Sequence, residues 1–218
     1  MQKSIYLLFL LSVLISLNAC NTDKNKITFA DNVAIAHRGA WKQNNLPQNS
    51  IASLKQAIAL NCAGSEFDVR MTADTVLIVT HDGDYHGMEV EETKYSELSK
   101  FKLPNGEILP TLKQYLIAGM QNNPSTGLVL EIKPSKFEER NNVITEHIVK
   151  LVKEVNAENY ILSYISFSYS VLKKIKELDA NAKTQYLDGS KRPELLKEDG
   201  INGLDYLIYK YKKHPEWI

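Results

Sequence analysis

Four polar clusters follow one another through the first two-thirds of the chain: His37-Arg38-Gly39, Glu66-Phe67-Asp68, His81-Asp82 and Glu131-Ile132-Lys133. Side chains two apart on a strand share a face, so Glu66 and Asp68 project together while Phe67 and Val69 point away. Adjacent carboxylates repel unless a cation lies between them, and oxygen ligands suit a hard divalent ion such as Ca²⁺ or Mg²⁺. Glu131 can add a third ligand, and Lys133, on the same face as Glu131, can touch an anion held by that ion. His37 and His81 both titrate near neutrality and can serve as general base and general acid. Arg38 offers a planar fork of donors for phosphate oxygens, and Gly39 permits a sharp turn or a close ligand approach. Two imidazoles, three ligand carboxylates and two cations form the inventory of a metal-assisted phosphoryl-transfer site.

These residues need strand ends to hold them. Each cluster ends, or lies within, a short apolar run that reads as a β-strand: Val33 to Ala36, Ser65 to Met71, Val76 to Thr80 and Leu128 to Leu130. On this reading His37 and His81 end the first and third strands, on either side of the carboxylate strand. Helical patterns fall between the strands. Asn49 or Ser50 caps a helix with Ile51, Leu54, Ala57 and Ile58 on its apolar face. Thr111 caps another, running to about Met120. A long amphipathic stretch covers Glu138 to about Asn156. Later strands are expected at Tyr160 to Ser166, Lys183 to Leu187 and Leu204 to Tyr209, with helices from Ser168 to Leu178 and from Glu194 to Glu198. Pro215 suits the first turn of a further helix. The Asp82 to Pro110 stretch, broken by Gly83, Gly87, Pro104 and Gly106, is expected to form a small excursion on the rim. Seven alternating strands point to an α/β protein of the TIM-type (β/α) barrel class, which builds its site from strand ends.

The chain of 218 residues suffices for one domain with a sizeable core. Its 26 Lys plus Arg balance 26 Asp plus Glu, and no basic patch is interleaved with aromatics, so nucleic acid is not an expected partner. The start of the chain stands apart. Lys3 precedes an apolar run, Ile5 to Leu17, that is too short to cross a bilayer and reads as a secretory signal. Leu17-Asn18-Ala19-Cys20 resembles a bacterial lipobox. The expected organisation is a signal peptide over 1–19, a lipidated tether over 20–31 that anchors the chain to the membrane of the cell envelope through Cys20, and a barrel domain over 32–218. Cys62 then has no partner for an internal disulfide and reads as a small core residue. His86 reads as a surface group and His147 as a structural one, and His214 is assigned no role. Trp41 and Tyr85, in loops beside the clusters, are candidates to line the pocket.

Ala36-His37-Arg38-Gly39, Pro47-Gln48-Asn49-Ser50, Glu66-Phe67-Asp68-Val69, His81-Asp82 and Glu131-Ile132-Lys133 together resemble the glycerophosphodiester phosphodiesterase family. Ser163 to Ser168 and Gly203-Leu204-Asp205-Tyr206 are similar to later strands of such enzymes. The resemblance implies a TIM-barrel hydrolase that cuts small glycerophosphodiesters to glycerol 3-phosphate and an alcohol. It implies that His37 and His81 are the acid/base pair, that Glu66, Asp68 and Glu131 hold one divalent ion, Ca²⁺ or Mg²⁺, and that Arg38 and Lys133 bind the substrate phosphate. It also implies a route in which the glycerol 2-hydroxyl attacks phosphorus and water opens the resulting cyclic phosphate. Gln48 stands where the family usually carries glutamate. The chain stops at Ile218, before the family's eighth strand, so a barrel lacking its last helix–strand unit is expected. The alternatives are a phospholipase-type enzyme acting on intact lipids, and an inactive, truncated phosphodiester-binding lipoprotein.

Overall fold

The computed structural model describes residues 27–218; the expected signal peptide and the Cys20 anchor lie outside the described residues. β1 (Ile35–Ala36) leads through α1 (Ile51–Ala59) to β2 (Gly64–Met71), and β3 (Leu77–Val79) turns back along β2. An excursion follows, with a hairpin of β4 (Asp84–Tyr85) and β5 (Met88–Glu89) and the short α2 (Tyr95–Leu98). After α3 (Leu112–Met120) come β6 (Gly127–Ile132), α4 (Arg140–Glu154), β7 (Ile161–Ser166), α5 (Tyr169–Leu178) and β8 (Thr184–Tyr186). Then follow α6 (Pro193–Glu198), β9 (Gly203–Leu204) and α7 (Ile208–Lys213).

Six strands lie side by side in the order β1-β2-β6-β7-β8-β9, each parallel to the next. Chain order equals spatial order, and helices carry the crossovers, which is TIM-barrel topology. The seventh strand of this sheet, β3, is antiparallel to β2. The expected third barrel strand is therefore a return strand. The turn Thr72–Val76 is too short for a parallel crossover, which needs a dozen or more residues. Its geometry is set by Thr72, whose hydroxyl takes a bond from Val76 N (3.0 Å) and gives one to Asp74 (2.7 Å).

This corrects the placement of the histidines. β2 pairs with β1 at Gly64 and Ser65 and with β3 from Val69 to Met71. Between those pairings, the Glu66 carbonyl accepts from Gly39 N (3.2 Å) and the Asp68 carbonyl from Thr80 N (3.0 Å). Backbone carbonyls two apart point to one edge of a strand. The His37 and His81 loops thus meet β2 from the same edge, and β6 covers the other.

Phe67, Val69, Leu128, Leu130 and Ile132 are buried against α1, α3, α4 and α5, with the Phe67 and Tyr115 rings 4.5 Å apart. These strand residues face the helical layer because their alternating neighbours face the site. The excursion has a small core of its own, formed by Ile78, Val90, Leu98 and Leu109. It fits the irregular rim segment expected over 82–110. The strand expected over 204–209 shrinks to β9, and 208–213 is helical. Leu207 and Ile208 stay exposed, so no sheet neighbour there holds the apolar run extended, whereas helix lets Tyr211 pack against Tyr206 at 6.2 Å. α4 starts at Arg140 rather than Glu138. Cys62 is half-buried and free.

Candidate active site

The turn after β1 is tight because α1 presses on it. Ser50, not Asn49, caps α1, in a reciprocal box with Ser53. Ser53 also donates to the Arg38 carbonyl (3.1 Å), and its own carbonyl accepts from Ala40 N (2.9 Å). Arg38 and Gly39 both take left-handed backbone angles, φ 57° and 79°. An added Cβ at Gly39 would lie 2.6 Å from the Ser53 carbonyl carbon. Gly39→Ala is expected to cost about 2–4 kcal/mol, from overpacking plus a left-handed alanine. Urea denaturation checks this; an unchanged midpoint would show that the turn can relax.

That turn aims the Arg38 N–H at Glu66 Oε2, 2.7 Å away, and leaves the His37 ring 3.9 Å from the same oxygen. Asp68 and Glu131 are direct partners across β2 and β6, which explains how acids 63 positions apart meet. Ligand oxygens of Glu66, Asp68 and Glu131 lie within 4.8 Å of one another, and all three residues are buried. Lys133 Nζ sits 2.8 Å from Glu131 Oε1 and 3.4 Å from Asp68 Oδ1. Arg38 Nε lies 3.6 Å from Asp68 Oδ2, while its Nη1 donates to the neutral amide of Gln48 (2.7 Å). Gln48 leaves the guanidinium charge for an anion to use.

In the sequence Asn49 is a possible cap and a member of the Pro47-Gln48-Asn49-Ser50 motif, with no role of its own. In the fold it is buried with φ 57° and clamps Asp68 twice: Nδ2 donates to Oδ2 (2.8 Å) and Oδ1 accepts from the Asp68 N–H (3.1 Å). The clamp turns Asp68 Oδ1 towards the acid cluster. Asp82 is a second addition: its carboxylate accepts from His81 Nδ1 at 2.7 Å and fixes that ring's tautomer and orientation. Asp82→Ala is expected to lower kcat about tenfold, the mild end of losing a group that orients a histidine, because Asp82 is exposed. Equal kcat in the variant would show that the ring needs no such support.

The charges are strained without a cation. Burial, then the neighbouring Asp68 carboxylate, push Glu66 up to about 8. Burial also raises Glu131. Partial burial of the ring and the Arg38 charge hold His37 below its ordinary value, so its neutral form prevails at neutral pH. Glu66 Oε1 and Asp68 Oδ1 are buried and accept no hydrogen bond among the described residues. Two orphaned carboxylate oxygens, with the Glu131 carboxylate within reach of both, fit a hard divalent ion. Glu66, Asp68 and Glu131 would hold it.

His37, Arg38, Glu66, His81, Glu131 and Lys133 line one cavity of about 540 Å³, and Asp68 lies buried beside it, 3.4 Å from Lys133 Nζ. All seven residues expected from the sequence therefore meet. Trp41 and Tyr85 do not line that cavity; Phe167, Gln185, Asp205 and Tyr206 do. Tyr85 instead meets His86 edge-on, and His86 stacks on Phe101, on the excursion, with neighbouring centroids 4.7 Å apart. His147 bonds its own helix at the Val143 carbonyl, and His214 stacks on Trp217 at 4.1 Å.

The model of the glycerophosphoryl diester phosphodiesterase family matches residues 37–200, spanning His37, Arg38, Glu66, Asp68, His81, Glu131 and Lys133. The chain belongs to this family. A glycerophosphodiester phosphodiesterase from Caldanaerobacter subterraneus subsp. tengcongensis is 31% identical over 166 residues, covering 69% of this chain and 64% of the relative. A probable glycerophosphodiester phosphodiesterase from Mycobacterium tuberculosis is 29% identical over 135 residues, and the match covers 47% of it. The chain thus spans between about half and two-thirds of these relatives' lengths. Among solved structures, a family member from Parabacteroides distasonis superposes with a TM-score of 0.79 at 40% identity, covering 84% of this chain and 76% of that one. A phosphodiesterase from Oleispira antarctica, solved in complex with sn-glycerol-3-phosphate, gives a TM-score of 0.67 at 25% identity, covering 79% and 73%. Glycerophosphodiester phosphodiesterase family membership and barrel class agree with the residue-level reading.

Proposed function

We propose that this chain hydrolyses glycerophosphodiesters to glycerol 3-phosphate and an alcohol, with a divalent ion held by Glu66, Asp68 and Glu131. One observation carries the reading: three buried carboxylates from two neighbouring strands converge within 4.8 Å, two of them lining a cavity shared by two histidines and two cations. Arg38 and Lys133 hold the non-bridging phosphate oxygens. His37, neutral, takes the proton of the attacking glycerol 2-hydroxyl as its oxygen–phosphorus bond forms, and His81 gives its proton to the departing alcohol oxygen as the other bond breaks. Water then opens the cyclic phosphate, losing a proton to the now neutral His81 while His37 returns its proton to the 2-oxygen as the ring bond breaks. The bound ion supplies charge neutralisation at the phosphoryl oxygens.

The test is release of glycerol 3-phosphate from glycerophosphocholine or glycerophosphoethanolamine by purified protein with Ca²⁺ or Mg²⁺. Release that stops on chelation is expected; no release under any metal would reject the reading. Action on intact phospholipids is a second reading, drawing on Phe101 and Ile108, which stay exposed on the excursion. Dispersed phosphatidylcholine in the same assay separates the two, and a preference for it would replace the first. Anchoring through a lipid on Cys20 rests on Leu17-Asn18-Ala19-Cys20 alone. Incorporation of labelled fatty acid into the expressed full chain, lost in Cys20→Ser, tests it.

A further inference from the structure

Arg70 shares a face of β2 with Glu66 and Asp68, four and two residues behind it, yet it does not line the cavity. Its guanidinium is mostly buried, and Nε donates to the His81 carbonyl at 2.9 Å. The stretch around His81 has few other supports. Thr80 N is tied to Asp68, and the next backbone tie is Val90 N to the Gly83 carbonyl (2.8 Å). Among the described residues no backbone–backbone hydrogen bond holds His81 itself. A buried Arg committing a donor to one carbonyl fixes that carbonyl's position, because the planar fork loses little freedom per bond.

Arg70 is itself set from behind. Its Nη1 lies 4.0 Å from Glu91 Oε1, and the other oxygen of Glu91 faces Arg140 Nη1 (3.5 Å) and takes a bond from the Ser135 hydroxyl. Arg140 also donates to the carbonyls of Glu91 and Thr72, both at 3.0 Å. Glu91 is buried, so the network is rigid rather than solvated. It joins the end of β2, the excursion and the first turn of α4 to one carbonyl beside the reaction centre.

We propose that Arg70 is a positioning residue for His81: the guanidinium, braced by Glu91, holds the His81 main chain at the place from which its imidazole reaches the phosphodiester. The proposal rests on the phosphodiesterase reading. A shift of about 1 Å in a reacting group can cost about a hundredfold in rate. Arg70→Met therefore lowers kcat about 10- to 100-fold, with KM and the metal concentration for half activation changed less than about threefold. The decisive readout is a double-mutant cycle with His81→Ala. If Arg70 acts through His81, Arg70→Met costs less than about twofold once the imidazole is gone. A merely structural role predicts the same fold-loss in both backgrounds, and that result, or a rise in KM at constant kcat, would overturn the proposal. Should Arg70→Met fail to fold with Glu91 left short of a partner, Arg70→Lys is run through the same cycle; it keeps the charge, and its smaller loss must likewise vanish in His81→Ala. An inactive wild type overturns the phosphodiesterase reading and the proposal with it. An active wild type with additive losses overturns the proposal alone.

Discussion

Alanine at His81 lowers kcat by about 10²–10⁴-fold, and alanine at His37 does the same, since each removes one proton transfer from the step at phosphorus. The loss falls on kcat more than on KM, because the groups that grip the phosphate, Arg38 and Lys133, stay in place. Stability hardly changes: the His37 side chain is 69% exposed, and the His81 ring bonds only Asp82 among the described residues. The two losses do not add. Once one transfer is absent, the other no longer occurs in the same transition state, so the double variant is expected within about tenfold of the slower single variant. Steady-state kinetics on glycerophosphocholine, with melting curves as control, check all three statements. Wild-type turnover in either single variant would remove that histidine from the chemistry.

The acid cluster gives the second large effect, and it carries opposite signs with and without metal. Glu66 titrates near 8 in the folded chain against an ordinary value of 4.5. A carboxyl raised on folding contributes stability that is fully present below its unfolded value and lost as pH rises through its folded one. Metal-free protein should therefore lose stability between about pH 4.5 and 8 through this group. A divalent ion binds the ionised carboxylates and reverses the trend, so the gain in Tm on adding metal grows with pH over that window. Glu66→Gln mimics the neutral carboxyl and still accepts from the Arg38 N–H. It is expected to raise the Tm of metal-free protein at pH 8–9 and to shrink the gain on adding metal. It should also lower kcat about 10²–10³-fold, the scale of removing one element of charge stabilisation, with partial rescue by excess metal. Thermal melts across pH, with and without Mg²⁺ or Ca²⁺, read these outcomes. A Glu66→Gln chain that gains as much from metal as wild type would place the ion elsewhere.

The site was legible because its residues sit where short strands end, and strands announce themselves by apolar runs such as Leu128 to Ile132. Alternation alone put Glu66 and Asp68 on one face and Phe67 on the other, and the structure keeps that division. The direction of β3 was not legible. Val76 to Thr80 has the composition of a buried strand in either direction, and only the five-residue Thr72–Val76 turn distinguishes a return from a crossover. The edge of β2 that receives the histidines follows from that turn, so it was misplaced too. The partners behind the site were hidden for another reason. Asn49, Arg70 and Asp82 act through one or two hydrogen bonds to groups 19, 11 and one position away, and no periodicity marks such contacts. The end of the chain misled because Leu204 to Tyr209 is apolar enough for a strand, while Leu207 and Ile208 find no neighbour that would bury them.

Anomalous diffraction from crystals soaked in Mn²⁺, a stand-in for Mg²⁺ or Ca²⁺ with the same preference for oxygen ligands, tests the central claim most directly. One strong peak is expected at bonding distance from oxygens of Glu66, Asp68 and Glu131, about 2.0–2.6 Å, inside the cavity that His37 and His81 share. A peak held by other residues, with these three carboxylates bare of metal in the same crystal, would contradict it.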